Sequence, residues 1–193
     1  MKLLILRHGE SEDDLIDAYG GWADFPLTAS GIETAKQNAE KISKLNEKFD
    51  IVLASPLKRA VQTAEVIAQK LGIKSEIFEY IKERNMYGIM CGMVKADAKK
   101  KFPWLVEAYE KWEYIDGQER AADILTRTAK AYELIQKMGY NSVILATHGN
   151  FVEAFFKQNF GKKIIKKEMG GFILLETDGD KCSVIKAEGI EID

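Results

Sequence analysis

The chain has 193 residues, enough to bury a full core, and its 46% hydrophobic and 30% charged content is that of a globular protein, not a disordered or fibrous one. Its 28 lysines and arginines are offset by 30 aspartates and glutamates, so the net charge of −2 gives no basic footprint for nucleic acid. No apolar run approaches the roughly 18 residues of a membrane span or the ~7–15 of a secretory signal, and two cysteines without ligand spacing suit a reducing cytoplasm.

In chain order, Met1–Ile5 is a short apolar run that reads as a buried strand. It leads into Leu6-Arg7-His8-Gly9-Glu10-Ser11, so an arginine and a histidine stand where a core strand opens into a loop. Open α/β sheets bind ligands at such strand ends. Glu12–Ala23 is polar and reads as a loop in which Gly20-Gly21 permit close backbone approach and Trp22 is a packing anchor. Ile32, Ala35, Ala39, Ile42 and Leu45 predict an amphipathic helix to about Lys48, capped by Thr28 or Ser30. Ile51–Ala54 is a second strand, and Ser55-Pro56 opens a helix that Gly72 ends.

A short strand near Ser75–Phe78 precedes an aperiodic stretch, 79–92, that holds Glu83, Arg84 and Tyr87. Residues 79–118 read as a lid within a single domain. Two short helices span 95–102 and 103–112, and Asp116-Gly117 marks a turn. Ile124, Thr128, Ala131, Ile135 and Met138 space a long helix that Gly139 closes. A strand at Val143–Ala146, a helix from about Asn150 to Phe160, and a C-terminal hairpin of 172–176 with 182–186 complete the pattern. Strands alternating with helices predict an α/β fold with a mainly parallel central sheet and helices on both faces.

The chain has only two histidines, and both follow a strand and precede a glycine: Arg7-His8-Gly9 and Thr147-His148-Gly149-Asn150. A neutral imidazole is a nucleophile at neutral pH without a metal. The arginine before His8 is a fixed cation whose fork suits phosphate. Arg59, in the first turn after the second strand, lies at the same sheet edge, where helix N-terminal amides add positive charge. Arg7, Arg59 and His148 can therefore surround one dianion. A carboxylic acid must then protonate a leaving alkoxide, and Glu83 and Glu10 both qualify.

Five stretches, "LRHGES", "GGWADFPLTASGIETA", "SPLKRAVQTAEVI", "KERNMYGIMCG" and "LATHGN", occur in the order seen in the histidine phosphatase superfamily, the phosphoglycerate-mutase-like proteins. From Lys2 to about Phe156 the chain resembles that family. The resemblance implies a three-layer α/β sandwich, with His8 carrying the phosphoryl group as phosphohistidine. It implies that Arg7, Arg59 and His148 neutralise the phosphoryl oxygens and that Glu83 is the general acid–base. Ser11, Asp14, Gly20, Gly21, Tyr87, Gly149 and Asn150 become substrate- or phosphate-binding positions. Asp14 replaces an asparagine of many members, and one extra residue separates Glu83 from Gly88.

The activity so implied is hydrolysis of a small phosphorylated metabolite, with no cofactor, no metal, and no nucleic-acid or membrane partner. The alternatives are a cofactor-dependent phosphoglycerate mutase and an inactive member that binds phospho-ligands. The mutases carry an arginine pair in an insertion that holds the substrate carboxylate, whereas Phe102–Asp116 contains no arginine here. Of the remaining features, Lys99–Lys101, Lys162-Lys163 and Lys166-Lys167 read as solvated surface. Cys91 reads as unreactive, and Trp104 and Trp112 as core.

Overall fold

The computed structural model describes residues 1–193. In chain order it contains β1 (Lys2–Arg7), α1 (Glu12–Leu15), α2 (Ala29–Ser43), β2 (Ile51–Ala54), α3 (Lys58–Leu71), β3 (Lys74–Ile77) and α4 (Lys95–Lys101). It continues with α5 (Pro103–Glu110), α6 (Ala121–Lys137), β4 (Ser142–Thr147), α7 (Gly149–Phe160), β5 (Ile164–Asp178) and β6 (Lys181–Ile192). The six strands form one sheet in the order β3-β2-β4-β1-β5-β6. The first four are mutually parallel, and β5 and β6 add an antiparallel hairpin.

The interiors of β1 and β4, Leu3–Leu6 and Val143–Ala146, are wholly apolar because helices cover both sheet faces. Successive side chains of a strand point to opposite faces. Leu3 and Ile5 therefore pack with Ile135 of α6 and with Phe151 and Phe155 of α7. Leu4 and Leu6 pack on the other face with Ala39 and Ile42 of α2 and with Ala64 and Ile67 of α3. No helix is long and apolar enough to cross a membrane.

Several expected boundaries shift for identifiable reasons. The 12–23 segment contains α1, started by a capping box in which Asp14 Oδ2 accepts the Ser11 backbone N–H at 2.9 Å. Thr28, not Ser30, caps α2, accepting the Gly31 N–H at 3.0 Å. That helix ends at Ser43, where Lys44 and Leu45 turn tightly onto Lys41 and Ile42. Pro56 does not begin α3: pairing continues past β2, with Ser55 donating its N–H to Ala146 at 3.0 Å, so the chain stays extended until Leu57. The hairpin is longer than expected, because β5 starts at Ile164 and bulges repeatedly against β6. Trp104 and Trp112 are surface residues, 62% and 82% exposed.

The loop after β1 docks directly on the first turn of α2. A Cβ on Gly31 would lie 2.0 Å from the Glu10 carbonyl oxygen, and one on Gly9 would lie 2.9 Å from the Gly31 carbonyl oxygen. Gly31→Ala should therefore destabilise the fold by about 1–3 kcal/mol through overpacking against backbone, whereas Ser30→Ala next to it should stay within about 0.5 kcal/mol. Denaturant midpoints of the two variants check this, and equal midpoints would contradict it.

Candidate active site

Register builds the site. Arg7 pairs with Thr147 across β1 and β4, so the next residues, His8 and His148, emerge side by side with ring centroids 5.0 Å apart. His8 is fixed further by its own N–H, donated to Thr147 at 3.0 Å, and by its carbonyl, which accepts the Gly170 N–H at 3.0 Å. Both imidazoles are buried.

Hydrogen-bond partners assign the tautomers. His8 Nδ1 lies 2.6 Å from the Gly9 carbonyl oxygen, which can only accept, so Nδ1 carries the proton and Nε2 the lone pair. Arg59 Nε donates to that Nε2 at 3.2 Å. The same guanidinium donates Nη1 to Ala23 O and Nη2 to Gly21 O, both at 2.8 Å, which fixes it in the cluster. His148 Nε2 sits 2.6 Å from the Ser55 hydroxyl. With Ser55 donating, the proton of His148 falls on Nδ1. His148 Nδ1 and Arg7 Nε are both buried and make no hydrogen bond within the chain. A buried donor without a partner costs about 1–3 kcal/mol, so these two are suited to an anionic ligand.

Charge and burial set the protonation states. Burial, then the Arg59 and Arg7 charges, hold the His8 pKa well below the ordinary imidazole range, against the opposing pull of the Gly9 carbonyl. Burial, then Arg59, does the same to His148. Burial also lowers Arg59, opposed by the charges of Asp13 and Glu83. Two neutral imidazoles thus face two guanidiniums.

Glu83 closes one side. Its Oε1 accepts the N–H groups of Arg84 at 2.8 Å and Phe151 at 3.0 Å, and its Oε2 that of Asn150 at 3.4 Å, which seats the carboxylate on the first turn of α7. Its carbonyl accepts Trp22 Nε1–H at 2.6 Å. Behind it, Arg127 grips Glu119 through two bonds of 2.8 and 2.9 Å and donates to the carbonyls of Tyr80 and Lys82. Glu10 instead accepts the Thr28 hydroxyl at 2.6 Å and joins its loop to the α2 cap.

The other sequence-derived positions divide. Gly21 lies at φ +52°, turning its carbonyl to Arg59, and a Cβ on Gly20 would strike the Asp13 carboxylate at 2.1 Å. Gly149 packs against Arg7, and a Cβ there would touch its Nε at 3.4 Å. Ser11 and Asp14 are engaged with each other in the α1 capping box, and Asp14 is exposed. Tyr87 packs in tilted pairs with Tyr19 and Tyr109, at 5.0 and 5.3 Å between centroids, and lies against Gly21, where an added Cβ would come within 3.1 Å of its ring.

Three contributors went unread in the sequence: Ser55, Asp13 and Lys167. Lys167, expected at the surface, accepts Arg7 Nη1 on its carbonyl at 2.6 Å and sends its ammonium to Glu153 at 2.5 Å and Asn150 Oδ1 at 3.2 Å. Only the register of β5 against β1 brings it there, and no local motif announces that. No three His, Cys, Asp or Glu side chains gather in a metal-ligating group.

The profile of the histidine phosphatase superfamily (branch 1) matches residues 3–185. The phosphoglycerate mutase of Schizosaccharomyces pombe is 32% identical over 184 residues, covering 86% of this chain and 84% of that protein. The 2,3-bisphosphoglycerate-dependent phosphoglycerate mutase of Mesorhizobium japonicum is 32% identical, covering 87% of each. Among solved structures, a putative alpha-ribazole-5'-P phosphatase from Escherichia coli superposes with a TM-score of 0.82 at 20% identity, over 97% of this chain and 96% of that one. A mycobacterial glucosyl-3-phosphoglycerate phosphatase superposes with a TM-score of 0.76 at 19% identity, over 96% and 97%. At these identities the structural likeness is one of fold.

The lowered histidine pKa values have a thermodynamic consequence. Below the unfolded value of about 6.5 the unfolded chain takes up protons that the folded chain refuses. Stability should therefore fall as pH drops below about 6.5, by at most about 1.4 kcal/mol per pH unit for each histidine, with no contribution above it. Denaturation midpoints between pH 7.5 and 5 should show this slope, flattened in His148→Gln. An unchanged slope in that variant would contradict the assignment.

Proposed function

This chain belongs to the histidine phosphatase superfamily (branch 1), and we propose that within it the protein is a phosphomonoester hydrolase that works through a phosphohistidine on His8. One observation carries the reading: His8 Nε2 holds an unprotonated lone pair with Arg59 on it, and the same cluster contains two buried nitrogens without a partner, Arg7 Nε and His148 Nδ1. That is a nucleophile inside an anion cage.

In the first step the phosphoryl oxygens draw the Arg59 Nε–H off Nε2, and the freed lone pair attacks phosphorus as the ester P–O bond breaks. Glu83 gives its proton to the departing oxygen, and a neutral alcohol leaves. Arg7, Arg59 and His148 hold the three phosphoryl oxygens while charge spreads over them. In the second step water attacks phosphorus, Glu83 takes its proton, the P–N bond breaks, and inorganic phosphate leaves a regenerated His8. Glu83 serves both directions. Glu10, held by Thr28, positions the loop.

A phosphoglycerate mutase is the second reading, favoured by the names of the 32%-identical relatives. That reaction must hold a glycerate carboxylate, and Phe102–Asp116 offers no arginine for it. Incubation with 3-phosphoglycerate should release inorganic phosphate. Interconversion to 2-phosphoglycerate that depends on 2,3-bisphosphoglycerate would select the mutase.

Three outcomes test the mechanism. Brief reaction with a labelled ester should leave acid-labile phosphate on the protein, and His8→Ala should lose labelling and turnover together. Turnover should survive EDTA, since arginines supply the positive charge. Glu83→Gln should slow alkyl phosphates by about 10²–10⁴-fold and nitrophenyl phosphate far less, because nitrophenolate needs no proton to leave. A selective alkyl loss in Glu10→Gln instead would move the acid role to Glu10.

A further inference from the structure

Beside Glu83 and outside the histidine cluster, a groove of about 270 Å³ lies between α6 and α7, beneath part of the 79–118 segment. Asn150 lines its near end, and the Asn150 N–H also points to Glu83 Oε2 at 3.4 Å, so groove and carboxylate share a wall. Ala154 and Lys157 follow on the same face of α7. At 1.5 Å per residue, the stretch from Asn150 to Lys157 runs about 10 Å away from the catalytic end. Ile124 and Leu125 of α6, with Met86, make an apolar floor. Arg84 stands near the mouth and Lys157 at the far end, while Glu153 is already paired with Lys167.

Trp112 forms the remaining wall, and its backbone is informative. The Trp112 N–H bonds to Tyr109 O at 3.1 Å and the Glu113 N–H to Ala108 O at 2.9 Å, closing α5 in a Schellman turn. The turn puts Trp112 at φ +60°, the left-handed position that favours glycine and strains a bulky residue. The indole is 82% exposed, so packing within the chain does not compensate. A strained, exposed tryptophan on the rim of an apolar groove is suited to closing on a ligand.

We propose that this groove receives the alcohol half of the substrate, so that the enzyme prefers phosphomonoesters whose leaving group is elongated and apolar with an anionic far end. The proposal rests on the hydrolase reading of the His8 cluster and deepens it. The phosphoryl group sits at His8 and the ester oxygen at Glu83. The carbon chain then lies over Met86 and Leu125 with Trp112 along it, and its distal anion meets Lys157.

The test compares kcat/KM for ethyl phosphate, hexyl phosphate and the phosphate ester of 6-hydroxyhexanoate. Four extra methylenes half removed from water should favour hexyl over ethyl by about tenfold, and the carboxylate should add a further preference. Trp112→Gly suits the turn, so it should unfold no more readily than the wild type while lowering the hexyl-to-ethyl ratio at least about fivefold, chiefly through KM. Lys157→Met should remove the advantage of the carboxylate. Equal kcat/KM for ethyl and hexyl phosphate, or equal losses on both in Trp112→Gly, overturns the groove while phosphohistidine formation still stands. If no ester labels His8, the hydrolase reading fails by itself. Quenching of tryptophan fluorescence by hexyl but not ethyl phosphate, lost in Trp112→Gly, then supports the groove, and quenching that is absent or unchanged in that variant overturns it.

Discussion

Parallel pairing of β1 with β4 is the contact on which the rest of this structure depends. It is a backbone interaction between two apolar strands with no chemistry of their own. Its register, Arg7 opposite Thr147, carries two distant stretches of sequence to one sheet edge and turns both histidines into the same buried space. A slip of one residue would exchange the two faces of β1, sending Leu3 and Ile5 where Leu4 and Leu6 belong. The cores on the two faces have different partners, so the slipped state is excluded by packing. The hydrophobic pattern that makes the fold therefore also fixes the spacing of the two histidines.

A buried guanidinium and a partly exposed one beside two buried imidazoles are an unfavourable arrangement without a counter-charge. The structure contains it by hydrogen-bonding the cations to carbonyls and leaving the carboxylates at a distance. Arg59 is held by Gly21 and Ala23, and Arg7 by Lys167. Asp13 and Glu83 offset the field at Arg59 without closing an ion pair on it. A carboxylate placed directly on either guanidinium would compete with a phosphoryl group. The arrangement favours a dianion over the protein's own acids.

Much of this was legible in the sequence, and what was not has physical reasons. Strands β1, β2 and β4 are apolar runs of the right length, and α2, α3 and α6 show the helical period clearly. The two histidine loops are visible because each follows a buried strand. The short α1 escaped because a single turn has no hydrophobic period, although its Ser11–Asp14 cap is written in the sequence. The exposure of Trp112 and the role of Lys167 escaped for a different reason. A tryptophan reads as core unless its backbone conformation is known, and Lys167 reaches Arg7 only through a tertiary register with irregular pairing beyond it. Asp14 has a structural role the family pattern does not show: its Oδ2 caps its own helix.

The backbone of β5 supports the Arg7–His8 loop from outside every recognisable motif. Lys167 O holds Arg7, Gly170 N–H holds the His8 carbonyl, and Asn38 in turn holds Gly170 O at 2.7 Å. The two β5 supports, Lys167 and Gly170, come after His8, Arg59, Glu83 and His148 in the chain. A ribosome-bound chain that has exposed all four would still lack the clasp that orients Arg7 and pins His8. Alignment of Arg7 and His8 is thus completed only when β5 pairs along the free edge of β1, so bringing the two histidine loops together and fixing their geometry are separate steps of folding.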